Sequence, residues 1–375
     1  MTAVITLNKT LFTHHGDQMK RYYCIEFLRL LTSLSVLLYH YRHFFNPYTT
    51  YSNNIFDETK INLPFYFILE TFYNNGFYGV HMFYAISGFV FAHVYLSLDK
   101  KTSSKEFFVN RFARLYPLHF ATLILVTIMQ LINILVYEST QIVPYNDIYH
   151  FILNLFFISS WGFEHGHSFN APIWSVSVEI FIYGIFFLLL SLLRKFQILL
   201  AFLLSVILLI VAKFEFLDKI FGSDYVADNL FLECARLFFS GIFIYYFSKK
   251  IKSKNILFPL SVFLIIISLI GNFKIFLFCP SVLLFVVTAE EMVNSSKIRN
   301  FFTISGNLTY ALYLLHVPIQ LIILVLFKSL SVSDSIYLNE YFFIFFFFIM
   351  ISSSYFCFKY YEKPMNKKIR LTFLK

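Results

Sequence analysis

The chain is predicted to be an all-α polytopic integral membrane protein, with about ten transmembrane helices and both termini cytoplasmic. Three observations carry that reading. First, the 375 residues are 58% hydrophobic and only 14% charged, with a mean hydropathy of +0.69, which leaves too little polar surface for a soluble chain of this length. Second, the apolar residues fall in runs long enough to cross a bilayer. Third, Lys and Arg cluster in alternate loops between those runs, which is the orientation signal of a membrane protein. The net charge of +9 therefore marks topology and not a nucleic-acid partner. Phe is extreme at 52 residues and Tyr adds 26, some of them explained by rings at the membrane–water interfaces.

Taken in order, the spans cover about 27–45, 76–97, 115–137, 172–193, 196–213, 228–247, 255–271, 274–290, 304–328 and 340–360. They form one transmembrane domain, 27–361, between a polar segment 1–26 and a basic tail 362–375. Residues 1–21 do not read as a cleavable signal peptide, because the first apolar run is long enough to remain as a span. The tract IYHFILNLFFISSW, 148–161, is also apolar. Counting it as a span would put Arg194 and Lys195 outside and invert every later loop, so it is read as a re-entrant or interfacial segment on the outer face.

With the N-terminus inside, the inner segments hold Lys9, Lys20, Arg21, Lys100, Lys101, Lys105, Arg111, Arg114, Arg194 and Lys195. They continue with Lys249, Lys250, Lys252, Lys254, Lys297, Arg299, Lys363, Lys367, Lys368, Arg370 and Lys375, making 21 of the 30 cationic residues. The outer segments instead carry Asp57, Glu58, Glu138, Asp147, Glu164, Glu215, Asp218, Asp224 and Asp334. Cys24, Cys234, Cys279 and Cys357 stand singly in or beside apolar runs, without CxxC or zinc spacing, and read as free thiols. No metal site and no internal repeat of the transporter kind is apparent.

Polar residues inside spans are costly and are functional candidates by default. Arg29 and His40 are eleven residues apart in the first span, so at about 100° per residue they share one helix face, about 16 Å apart along the axis. His40, His81 and Glu179, from three spans, share a depth near the outer side. A buried Glu beside a His can orient the imidazole, although each group could equally pair separately with backbone or water. Arg111 and Arg114 lie on the opposite side and suit phosphate, although arginines there also follow from topology alone. His316 lies mid-span, and Glu233 and Arg236 read as an intrahelical pair.

Six short elements follow one another along the chain: Arg29 with His40 eleven residues on, GVHMFYAISGF (79–89), RFARLYP (111–117), WSVSVE (174–179), GNLTYALYLLHVP (306–318) and EKP (362–364). In this order they resemble the membrane-bound acyltransferase 3 family, which O-acylates carbohydrates, and the likeness covers nearly the whole chain. Thr309 replaces the usual Ser, and His81 stands where the family often has an acid. The SGNH hydrolase-like domain fused to many members is absent here, so the chain resembles stand-alone members, which act alone or with a separate extracytoplasmic partner protein.

The resemblance implies acetyl-CoA, or another acyl-CoA, as donor. Its phosphates would sit near Arg111 and Arg114, with Arg29 guiding the pantetheine arm toward His40. His40 would act as general base or as transient acyl carrier, and Glu179 would orient it. Trp174, Ser175 and Ser177 would shape the pocket, with His81 and His316 beside the acceptor. The acceptor would be a lipid-linked or surface glycan such as O-antigen, capsule or exopolysaccharide, reached from the outer side of a bacterial inner membrane. The sequence leaves the oligomeric state and the acyl length open. The competing reading is a transporter or flippase that uses His40, His81 and Glu179 as a proton relay.

Overall fold

The computed structural model describes residues 20–45, 60–97, 102–213, 226–251, 253–271 and 274–374. Of the charges weighed above, Lys9, Asp57, Glu58, Lys100, Lys101, Glu215, Asp218, Asp224, Lys252 and Lys375 lie outside the described residues.

Among the described residues the secondary structure is helical, with no strand. In chain order the helices are α1 (Tyr23–His40), α2 (Tyr66–Asn75), α3 (Gly79–Phe91), α4 (Ser104–Tyr137), α5 (Ile148–Leu155), α6 (Ile173–Lys213) and α7 (Val226–Lys250). They continue as α8 (Lys254–Ile270), α9 (Lys274–Ala289), α10 (Ser296–Ser329), α11 (Glu340–Cys357) and α12 (Lys363–Phe373). Among the described residues, seven helical stretches are long and apolar enough to cross a membrane, which makes this an all-α polytopic membrane protein. The remaining expected spans are helical too. α1 carries Glu26 and Arg29 within its 18 residues, and α8 has 17. Segments 172–193 and 196–213 are joined in α6 across Gln197, whose backbone leaves helical geometry (φ 43°, ψ −119°).

Several helices outrun their apolar windows. α4 begins at Ser104 and not at 115, because Ser103 caps it by accepting from the Glu106 N–H at 3.1 Å. The eight residues of α5 extend only about 12 Å, too short to cross a bilayer. Within the expected basic tail 362–375, Lys363–Phe373 form the amphipathic helix α12, which packs along α4.

The core is formed by α3, α6, α7 and α9 on one side and by α1, α10 and α11 on the other. Between helices in lipid, close packing matters more than apolarity. Gly88 on α3 and Gly241 on α7 show this directly: a Cβ on Gly88 would strike the Phe238 carbonyl, and one on Gly241 would strike the Ala85 carbonyl.

The cationic loops gather at one end of the bundle. There Arg194 donates to the Tyr95 carbonyl at 2.8 Å, Lys254 pairs with Glu291, and the His93 ring donates to the Lys20 carbonyl at 2.6 Å. At the other end, Tyr41 donates to the Tyr337 carbonyl at 2.9 Å and Arg42 to the Tyr73 carbonyl at 3.1 Å.

Candidate active site

The site begins with the anchoring of α1. A helix start leaves backbone N–H groups without partners, and here the buried Glu290 carboxylate accepts from Tyr23 N and Cys24 N, both at 2.8 Å. Arg29, one turn further, pairs with Glu26 at 3.1 Å. Gly306 of α10 makes room for that carboxylate, since a Cβ there would overlap the Glu26 side chain. α1 and α10 pack together, and the Ser33 hydroxyl reaches the Thr309 carbonyl at 3.3 Å.

At the far end of α1, His40 meets His316. Nδ1 of His40 lies 2.8 Å from Nε2 of His316, and the rings are near-parallel, 4.8 Å between centroids. In this bond one ring donates and the other accepts. Where His40 donates from Nδ1, its Nε2 keeps a lone pair. His316 is 1% exposed whereas His40 is only partly buried.

Two residues with no assigned role in the sequence reading complete this layer. The buried Gln320, one turn past His316, donates to the His40 carbonyl at 2.8 Å and accepts from Nδ1 of His43 at 3.1 Å. His43 also stacks on His40, 4.9 Å between centroids. Their spacing was the available signal: His43 is three residues after His40, and Gln320 four after His316. His167 comes from an irregular segment and had no such signal.

The position of His316 depends on Pro318. Proline lacks an N–H, so the Leu314 carbonyl four residues earlier loses its helical partner. Asn170, fully buried in the segment before α6, supplies the missing donor from Nδ2 at 3.0 Å. That segment is itself pinned to the bundle: the His119 ring donates to the Asn154 carbonyl at 2.8 Å, and Phe169 N–H donates to Asn146 at 3.0 Å.

Among the described residues no hydrogen bond joins Glu179 to His40, and the side chains beside Glu179 are those of Ser87 and Tyr183. Shared depth fixes position along the bundle axis but not the direction in which each side chain faces. The Ser87 and Tyr183 hydroxyls lie 3.2 Å apart, and the Tyr183 ring stacks on Phe91 at 4.3 Å. Arg111 stands over that same Phe91, 4.8 Å from its centroid, and makes no ion pair among the described residues. Arg114, in contrast, is committed to the buried carboxylate of Glu362. Of the three arginines, Arg111 thus has the least countered charge.

Two further candidates have other partners. His81 belongs to a separate cluster, with Nε2 3.0 Å from Glu233, and Glu233 also pairs with Arg236 at 3.2 Å as expected. Ser177 is fully buried and structural: its hydroxyl donates to the Phe157 carbonyl at 2.7 Å and accepts from Ser160 N–H at 3.2 Å. With both directions satisfied, it has no hydrogen left for a substrate. Ser175 is similarly engaged, 2.7 Å from the Tyr313 hydroxyl. Trp174 is partly exposed, its ring 6.3 Å from that of His167. The four cysteines are free thiols.

Several of the six sequence elements meet in the fold. The RFARLYP and EKP elements are tied by Arg114 with Glu362, and Tyr361 donates to the Pro117 carbonyl at 3.0 Å. Tyr310 donates to the Leu115 carbonyl at 2.7 Å. The fold and site define a helical membrane protein with an arginine-bearing end and a hydrogen-bonded pair of imidazoles. A family-wide sequence description, the Acyltransferase domain of acyltransferase 3 type, matches residues 22–359. The chain belongs to the acyltransferase 3 family and is a membrane acyltransferase. No curated protein and no solved structure matches it.

Proposed function

We propose that the protein moves an acetyl group from acetyl-CoA to a hydroxyl of a lipid-linked or surface carbohydrate. The observation that carries this reading is the imidazole pair. His316, by accepting from Nδ1 of His40, fixes the tautomer of His40 that leaves the lone pair on Nε2. In the reaction, Nε2 of His40 takes the proton of the sugar hydroxyl as its oxygen attacks the thioester carbonyl. The C–O bond forms, the C–S bond breaks, and the departing thiolate recovers the proton from His40. Gln320 and His316 are positioning residues. A transient acyl-His40 is the other route through the same nitrogen.

The donor's phosphates would bind at the cationic end, at Arg111 first, with Arg29 nearer the reacting centre. By the distribution of charge that end is cytoplasmic, with both termini, and the imidazole end faces outward in a bacterial inner membrane. The glycan would arrive there, alone or presented by a separate extracytoplasmic protein, and self-association of the transferase is compatible with the exposed apolar helix faces.

The test follows labelled acetyl-CoA in membranes carrying the wild type or His40→Ala, with glycan extraction and mass analysis. The expected result is an acetyl mass on a glycan only with the wild type. Label transfer undiminished in well-expressed His40→Ala would overturn the role of His40. Substrate movement without covalent change would point to transport instead.

A further inference from the structure

Past the residues matched to the family, the chain continues into α12, which packs along α4. The register between the two helices is set just before α12, where Glu362 holds Arg114 and the Tyr361 hydroxyl donates to the Pro117 carbonyl at 3.0 Å. Arg370, eight residues after Glu362, stands within electrostatic reach of Glu106, eight residues before Arg114. Equal steps in opposite directions make the two helices antiparallel, and eight residues are about 12 Å of helix. Glu362, Asn366 and Arg370 follow at four-residue spacing on one face of α12, as Glu106, Asn110 and Arg114 do on α4.

These two strips hold more positive charge than they balance. Glu362 is committed to Arg114. Arg111 and Tyr95 are also within electrostatic reach of Arg370. Neither Arg111 nor Arg370 forms an ion pair among the described residues. Both are only partly buried. Nε of Arg111 is buried without a hydrogen-bond partner, and the guanidinium lies over Phe91 at 4.8 Å and Tyr95 at 5.8 Å. Glu106 is exposed, where solvent and salt screen its charge. Between the two ends of the strip, Asn110 and Asn366 each keep a buried amide oxygen without a partner.

We propose that Arg370 is the second arm of a phosphate site whose first arm is Arg111, closed by α12 against α4 at the cationic end of the bundle. Two neighbouring guanidinium groups repel one another in a partly buried setting, and an anion between them turns repulsion into attraction. A phosphate spreads its charge over several oxygens, so two arginine forks can bind it at once, whereas one fork occupies both oxygens of a carboxylate. Along the helices the two arginines differ in level by about 7.5 Å, a gap that two long side chains can close around one group. N–H or O–H groups beside the phosphate would meet the open amide oxygens of Asn110 and Asn366. The CoA moiety of the proposed donor carries such a phosphate, and so does a phospholipid headgroup. The donor version rests on the acyl-CoA reading above.

The experiment measures equilibrium binding of radiolabelled CoA to the full chain in phosphatidylcholine nanodiscs and, in parallel, retention of phosphatidylglycerol by native mass spectrometry. Wild type, Arg370→Gln, Arg370→Lys and Lys367→Gln are compared. The Kd for CoA is expected to rise about tenfold with Arg370→Gln and about threefold with Arg370→Lys, which keeps the charge and loses the fork. Lys367→Gln removes the same charge from an exposed position of α12 and should leave the Kd within about twofold. Equal weakening by Arg370→Gln and Lys367→Gln would mean general charge attraction and overturn the site. Where Arg370→Gln does not fold, Arg370→Lys carries the test. Loss of phosphatidylglycerol retention in Arg370→Gln, with CoA affinity unchanged, would keep the site and make the lipid its ligand. CoA binding and lipid retention both unmoved by the Arg370 variants overturn the site and leave the donor reading standing. A wild type that binds no CoA but holds phosphatidylglycerol through Arg370 would keep the site and overturn the donor reading, and binding of neither overturns both.

Discussion

The dependence of His316 on a borrowed hydrogen bond can be tested by a double-mutant cycle between Asn170 and Pro318. Asn170→Leu keeps the side-chain volume but removes the Nδ2 donor 3.0 Å from the Leu314 carbonyl. That carbonyl has no helical partner, because residue 318 is proline. The loss of one buried bond and the stranding of its acceptor cost about 1–3 kcal/mol in water-soluble hosts, while interhelical bonds in membranes average about 0.6 and reach about 1.7 kcal/mol. The same substitution also removes the Asn170 amide oxygen, which is buried without a partner, so the single variant understates the bond. The cycle cancels that relief. In Pro318→Ala the alanine N–H returns to Leu314, and Asn170→Leu then removes only a redundant donor. We expect a coupling of about 1 kcal/mol, the stabilisation lost being larger in the proline background. The assay is reversible unfolding of the four proteins in mixed detergent–SDS micelles. Strict additivity, within about 0.3 kcal/mol, would refute the argument that Asn170 substitutes for the proline's missing donor.

Two other predictions follow from charge placement. Arg114→Met strands the buried Glu362 carboxylate and is expected to cost about 3–5 kcal/mol of stability, whereas Arg114→Met combined with Glu362→Met recovers most of it; equal destabilisation in the single and double variants, measured by thermal inactivation, would show that the pair does not act as a unit. Asp147 lies outside the membrane spans, where slight burial raises its pKa but hydrogen bonds from the backbone and ring of His150 outweigh that and hold it below the ordinary carboxylate value. A depressed carboxylate stabilises the fold above its unfolded value of about 3.9 and loses that contribution as pH falls through its lower folded value. Limited proteolysis of residues 138–170 should therefore accelerate only under strongly acidic conditions. Asp147→Asn should remove that acid response, and an unchanged response would exclude Asp147 as its source.

What was legible in the sequence was what depends on neighbours along the chain. Arg29 and His40 share α1 as their spacing requires, and Glu233 pairs with Arg236 one turn away. Charge distribution set the 148–161 tract apart from the expected spans, and the helix there, α5, has eight residues. The start of α4 was misplaced because an apolar window ends where charge begins, while a helix capped by Ser103 does not. Depth carries no azimuth, so Ser87 and Tyr183 emerged as neighbours of Glu179 only once α3 and α6 were packed.

By itself, then, the sequence determined the all-α membrane class, the order of the helices, the alternation of charged loops and the identity of the residues worth suspecting. Those properties follow from hydropathy, helical period and covalent spacing, all local along the chain. Only the tertiary structure decided that His316 holds His40, that Glu362 engages Arg114, and that Asn170 completes the turn opened by Pro318. These pairs join residues 276, 248 and 144 positions apart, and the requirement that buried polar groups find partners applies only once the helices are packed.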